Sequence, residues 1–276
     1  MTTQQRSILI TGCSTGIGFA AARDLKARGW RVLATARKPD DLARLAALGL
    51  EALPLEMADL ASIATCATRA LDLTDGRLGA LFSNAAYGQI GAVEDLEPQV
   101  LRDQFEVNLF GLHDLTRRLI PAMRRNGAGR IVQCSSVLGL MSAPYRGAYC
   151  ATKFALEALT DAMRMELHGT GIHVSLIEPG PIRTEFLPTA LALFRKRIDI
   201  ANSPHAETYA RRLASMAAGG KQTFKLEPEA VVRRLIHALE SPRPKPRYFV
   251  TIPTYGANVL KRVLPTVLLD RFARGQ

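Results

Sequence analysis

The sequence is poor in the residues that would make it a disulfide scaffold, a zinc module or a membrane protein. It has four cysteines in 276 residues, and Cys13, Cys66, Cys134 and Cys150 lack metal-ligand spacing, so no metal site is expected. Cys13, Cys134 and Cys150 lie inside the motifs discussed below, where a crosslink would distort them. A reducing, cytoplasmic setting is therefore expected. No run of 18 apolar residues occurs, which argues against a spanning helix. The first residues, Met1 to Arg6, lack an apolar stretch, so no secretory signal is expected. Low-complexity tracts and internal repeats are also missing. Acidic residues are scarce, 25 against 36 lysines and arginines, for a net charge of +11. The arginines are scattered and no aromatic-basic interleaving accompanies them, so nucleic acid is not an expected partner.

What is present is a βαβ rhythm. Apolar, β-branched runs at residues 7–11, 31–35, 52–55, 80–83, 130–135, 173–178 and 247–251 alternate with helix-like segments. This predicts a single α/β domain over residues 1–276, of the doubly wound Rossmann type: a mostly parallel seven-stranded sheet with helices on both faces. Residues 185–226 interrupt the rhythm and carry Leu187, Leu191, Leu193 and Phe194, as expected of a substrate lid. Residues 252–276 form a basic, amphipathic C-terminal tail. It fits either a cover over the pocket or a subunit interface, or a contact with lipid headgroups; Pro265 breaks it in two, which favours the former.

The first strand runs into Gly12, Ser14, Thr15, Gly16, Ile17 and Gly18, and then into helix formers. A strand, a glycine turn and a helix start make a cradle in which backbone N–H groups and the helix dipole hold a pyrophosphate. After the second strand, where an acid would bind a free ribose 2′-hydroxyl, the chain has Arg37 and Lys38, with no acid until Asp40. Two cations without an acid select a 2′-phosphate, so NADP(H) is the expected cofactor, with Ser14 donating to the same phosphate.

Tyr149 and Lys153 are an i, i+4 pair, which a helix places one turn apart on one face. An ammonium there favours the phenolate and would lower the tyrosine pKa toward the range of a proton shuttle. Ser136, at the end of the fifth apolar run, would orient a substrate oxygen. Leu138, Met141, Pro144, Tyr145 and Phe186 are mostly apolar pocket candidates, which favours a small hydrophobic aldehyde, ketone or secondary alcohol.

These pieces, with Asn84-Ala85-Ala86, Asn108 and the segment from Pro179 to Thr184, resemble the short-chain dehydrogenases/reductases in order and spacing. Within that family they look most like the 17β-hydroxysteroid and retinol dehydrogenase branch and its bacterial aldehyde-reductase relatives. The resemblance implies hydride transfer, with Tyr149 as acid/base and Lys153 also holding the nicotinamide ribose. It implies that Asn108 anchors a relay water, and that Pro179, Gly180, Ile182 and Thr184 contact the carboxamide. An asparagine that bonds backbone inside a distorted helix would meet the description of Asn108 as well.

The sequence departs from the family pattern in three places. Glu56 stands where relatives usually have an aspartate for the adenine amine, and Asp59 is the alternative. Met57 replaces a β-branched residue. Ala86 replaces a glycine, which would be strained if that backbone requires a positive φ. Surplus apolar residues on the helices near 100–125 and 149–168 call for a further partner, and the resemblance implies that these helices form a four-helix bundle in a homodimer or homotetramer. The alternative to an enzyme, a non-catalytic NADP(H)-binding sensor or scaffold, is opposed by the full Asn, Ser, Tyr and Lys set.

Overall fold

In the computed structural model, residues 6–217 and 223–274 are described. The strands are β1 (Ser7–Ile10), β2 (Arg31–Ala36), β3 (Glu51–Pro54), β4 (Ala80–Ser83), β5 (Gly129–Cys134), β6 (Ile172–Glu178) and β7 (Arg247–Phe249). They form one parallel sheet in the order β3-β2-β1-β4-β5-β6-β7. Each expected run is a strand, with ends displaced by at most two residues.

The helices on the sheet are α1 (Gly16–Ala27), α2 (Pro39–Ala47), α3 (Leu60–Leu73), α4 (Pro98–Phe105), α5 (Gly111–Arg125) and α6 (Gly147–Glu166). Later in the chain come α7 (Phe186–Arg197), α8 (Ala206–Ala217), α9 (Glu229–Glu240), which also packs on the sheet, α10 (Ile252–Val263) and α11 (Thr266–Arg274). The period-2 alternation of strand side chains sorts the core into two layers. Ile8, Ile10, Val32, Phe82 and Val132 pack with Ala21 and Leu25 of α1 and with Val231 and Leu235 of α9. Leu9, Leu33, Leu81 and Ile131 point the other way, onto Ile63 of α3, Leu112 and Leu119 of α5 and Leu156 of α6.

The long helix expected around residues 100–125 is broken. Between α4 and α5 the chain makes a π-helical turn, Glu106–Phe110, which contains Asn108. Gly111 follows because a Cβ there would lie 2.0 Å from the Met57 carbonyl oxygen. The surplus apolar face on this helix is smaller than expected, since Leu109, Leu112, Leu115 and Leu119 are all buried. Leu101, Phe110 and Leu159 remain exposed.

The segment read as a lid contains α7 and α8; its residues 218–222 lie outside the described residues, as do 1–5 and 275–276. Phe194, Ile198 and Tyr209 build a third small core with Ile90 and Ala92. At its end Leu226 forms an isolated bridge with Ile182, beyond β6. In the tail, the outward stripe of α10 is apolar (Ile252, Tyr255, Val259, Val263), and α11 has no buried residue. Among the described residues no helix is long and apolar enough to cross a membrane.

Candidate active site

The glycine cradle closes around backbone rather than side chains. Gly12 has φ +72°, and a Cβ on Gly18 would sit 2.1 Å from the Gly12 carbonyl oxygen and 2.7 Å from Asn84 Nδ2. Asn84 Nδ2 donates to the Thr11 and Gly12 carbonyls at 3.1 and 3.2 Å. The Thr11 hydroxyl in turn accepts from the Asn84 and Ala85 N–H groups at 2.8 and 2.9 Å. Strand β4 is thereby tied to the loop after β1. Thr15 makes no side-chain cap on α1, and no acid occupies its first turn, so the N–H groups of that turn have no side-chain acceptor. Gly16 faces Thr184, whose side chain would be 2.9 Å from a Cβ there. These features fit a bound pyrophosphate: backbone donors, a positive helix end and no side chain in the way.

Arg37 and Lys38 are exposed just beyond β2. Arg37 makes a loose contact with Glu56 (3.6 Å) across exposed surface, worth little in water. Glu56 also accepts from the Ala58 N–H, while Asp59 is spent as the N-cap of α3, accepting from Ala61 at 2.8 Å. Of the two acids expected for adenine, Glu56 is therefore the one beside Arg37, and Asp59 is the one engaged by a helix. Met57 is buried. Ala86 is not at positive φ, so its methyl group carries no backbone strain. Arg44, which sequence reasoning missed, donates to the Ser14 carbonyl and pairs with Asp41, adding a third cation beside the loop.

Tyr149 is buried on α6, and burial pushes its pKa well above that of an ordinary tyrosine. The neighbouring Cys134 thiol adds to the rise; a hydrogen bond with Ser136 and the Arg146 charge oppose it. The expected helper behaves differently. Lys153 Nζ lies 5.6 Å from the Tyr149 ring centre and donates to the Cys134 carbonyl at 2.8 Å, so it does not bond the phenol in this state. Burial lowers the pKa of Lys153. Ser136 Oγ accepts from the Leu138 N–H at 3.1 Å, which fixes the hydroxyl at the end of β5. Asn108 is fully buried, and its amide reads the Tyr87 backbone both ways, accepting from N–H at 3.1 Å and donating to C=O at 2.8 Å. It also donates to Thr152, which ties the π turn to α6.

Pro179 accepts from the Val137 N–H at 2.8 Å, and Gly180 leaves room for the buried Thr251 hydroxyl, 2.0 Å from a would-be Cβ. Ile182 and Thr184 lie on the same strap, which turns into α7. Phe186 stacks edge-on against Tyr149, with centroids 5.3 Å apart, and roofs Gly88. Behind Lys153, Arg247 donates to Glu157, Glu178 and, at 2.6 Å, Asp161. Glu178 is fully buried, and burial and the charge of Glu157 push its pKa up to about 8. Its sequence signal was an acid directly after the apolar Leu176-Ile177 at the end of a strand.

A doubly wound parallel sheet with a glycine-rich cradle after β1 and a Tyr/Lys pair beside it defines a dinucleotide-binding oxidoreductase. The family model for short chain dehydrogenase matches residues 6–192, and the chain belongs to that family. It is 44% identical to the uncharacterized oxidoreductase YbbO of Escherichia coli K12, over 98% of this chain and 95% of the other. It is 35% identical to human 17-beta-hydroxysteroid dehydrogenase type 1, over 88% of this chain and 77% of the other. Among solved structures, a short-chain dehydrogenase from Streptomyces avermitilis superposes with a TM-score of 0.76 at 29% identity, covering 94% of this chain and 92% of that one. One from Sphingobium yanoikuyae in complex with NADPH gives 0.71 at 25%, covering 88% and 87%.

Proposed function

We propose that this chain is an NADP(H)-dependent oxidoreductase acting on a hydrophobic aldehyde, ketone or secondary alcohol, with Tyr149 as the acid/base. The observation that carries this is the buried Tyr149 with Ser136 beside it and Lys153 one turn on. The nicotinamide supplies or takes the hydride when bound. In the reducing direction Tyr149 gives its proton to the developing alkoxide, and a positioned acid of this kind contributes roughly 10²–10⁴-fold. Ser136 holds the substrate oxygen. Lys153 holds the ribose and favours the phenolate that remains. Asn108 keeps the π turn and the Tyr87 backbone in register behind the pair. Arg37 and Lys38 hold the 2′-phosphate, Glu56 the adenine amine, and the strap from Pro179 to Thr184 the carboxamide.

We read residues 185–226 as the lid of a single dinucleotide-binding domain, and the exposed Leu101, Phe110 and Leu159 as part of a homodimer face. A panel of aldehydes, retinoids and ketosteroids followed at the NADPH absorbance tests the function. Turnover of none of them, with NADPH bound, would favour a sensor instead.

A further inference from the structure

Two guanidinium groups between the lid and Tyr149 carry charge that the described protein does not balance. Arg146 is the N-cap residue of α6, one turn before Tyr149, and is partly buried. Arg212 reaches in from α8, with its guanidinium carbon 4.6 Å from the centre of the Tyr145 ring. Both line one small cavity of about 20 Å³, together with Ile90, Tyr145, Phe194 and Tyr209. That is room for a water-sized polar group.

Neighbouring arginines are matched with acids: Arg183 with Glu227, Arg197 with Asp103 and Arg247 with Glu157. Among the described residues, no carboxylate is within ion-pair distance of Arg146 or Arg212, and residues 1–5, 218–222 and 275–276 contain no aspartate or glutamate. The nearby Glu94 and Asp95 are occupied, Glu94 by His205 and Asp95 by Ser203 and Tyr209. Arg146 also stands at the positive end of a 20-residue helix with no acid in its first turn. Burial and the Arg212 charge both disfavour its cation. Tyr149 and Cys150 favour the Arg146 cation and the Tyr145 ring faces Arg212, but neither supplies a full negative charge, which an entering anion would.

We infer that the substrate carries an anionic end group, a carboxylate, held by Arg146 and Arg212 while its carbonyl or carbinol end lies at Tyr149. The substrate class is then an oxo or hydroxy acid, with one carboxylate oxygen taking the water-sized space between the two guanidinium groups. This rests on the reading of Tyr149 as the acid/base. Arginine forks suit the pairing because they bind carboxylate in a bidentate manner.

The test compares ω-oxo carboxylates with n-alkanals of the same carbon count as substrates for the NADPH-loaded enzyme. Wild type is expected to prefer the oxo acid in kcat/KM by at least roughly tenfold, mainly through KM. In Arg146→Gln and Arg212→Gln this ratio should collapse toward one. A wild type that prefers the alkanal, or a ratio unchanged in both variants, overturns the inference while leaving the oxidoreductase reading intact. If neither compound is turned over, a binding measurement decides the clamp. A free medium-chain carboxylate should raise the melting temperature of wild type and not that of either variant. No rise in wild type overturns the clamp. An equal rise with inorganic phosphate alone overturns it too, in favour of a free-anion site.

Discussion

Replacing Glu178 by glutamine isolates a buried carboxyl whose protonation the fold controls. Glu178 is fully buried between Glu157 and Arg247, and its pKa is pushed up from 4.5 to about 8. A folded-state pKa above the unfolded value means that, between these limits, the native state holds a proton that the unfolded chain releases. Stability therefore falls as pH rises from about 5 to about 8 and levels off above that. The difference of 3.5, at about 1.4 kcal/mol per pH unit, sets a ceiling of about 5 kcal/mol for this one group.

Glutamine keeps the shape, accepts from Arg247, donates to Glu157 and does not titrate; Arg247 keeps Glu157 and Asp161 as partners. Urea unfolding followed by circular dichroism, in steps from about pH 5 to about pH 9, should show the two proteins close in stability at the acid end. They should then diverge, with Glu178→Gln the more stable by up to several kcal/mol at the alkaline end. Curves that stay parallel across this range would refute the argument, because they would mean that Glu178 ionises as readily in the fold as outside it.

Tyr149→Phe should lower kcat by at least about 10²-fold with NADPH affinity within a few-fold by fluorescence titration; retention of more than a tenth of kcat contradicts the acid/base role. Arg37→Asp should weaken NADPH binding by on the order of 100-fold while sparing NADH, measured calorimetrically; a wild type that binds NADH more tightly removes the basis for the cofactor assignment. Gly18→Ala forces a Cβ to within 2.1 Å of the Gly12 carbonyl oxygen. It should cost about 1–3 kcal/mol, seen as a lowered melting temperature and weakened cofactor binding; an unchanged melting temperature would show that the cradle can yield. Light scattering should give twice the chain mass, and Leu159→Asp should reduce it to one; a fully active wild-type monomer rules the dimer out as a requirement.

Much of the fold was legible because a parallel sheet buried on both faces writes itself as apolar β-branched runs. Residues 7–11 and 130–135 became β1 and β5 for that reason, and the glycines followed β1 because only they allow so close a backbone approach. A distorted helix at Asn108 was raised by its residue type alone, but periodicity could not register the one inserted residue, nor the close approach of the Met57 carbonyl to Gly111, which comes from another element. The balance on Tyr149 was not legible. The i, i+4 spacing places Lys153 one turn away but does not say that a backbone carbonyl takes its ammonium, nor how deeply the phenol is desolvated.

The sequence by itself determined the order of elements, the cradle, the Tyr149–Lys153 pair and the missing acid after β2. Each is a local matter of residue type and spacing, within one turn or one strand end. Only the tertiary structure decided which charges are matched. It spent Asp59 on a helix cap, left Glu56 beside Arg37, gathered Glu157, Asp161 and Glu178 around Arg247, and set Arg146 and Arg212 on one cavity without an acid. The physical reason is that charge energies depend on through-space distance and burial. Both are set by packing between residues far apart in the chain, and no spacing rule records them.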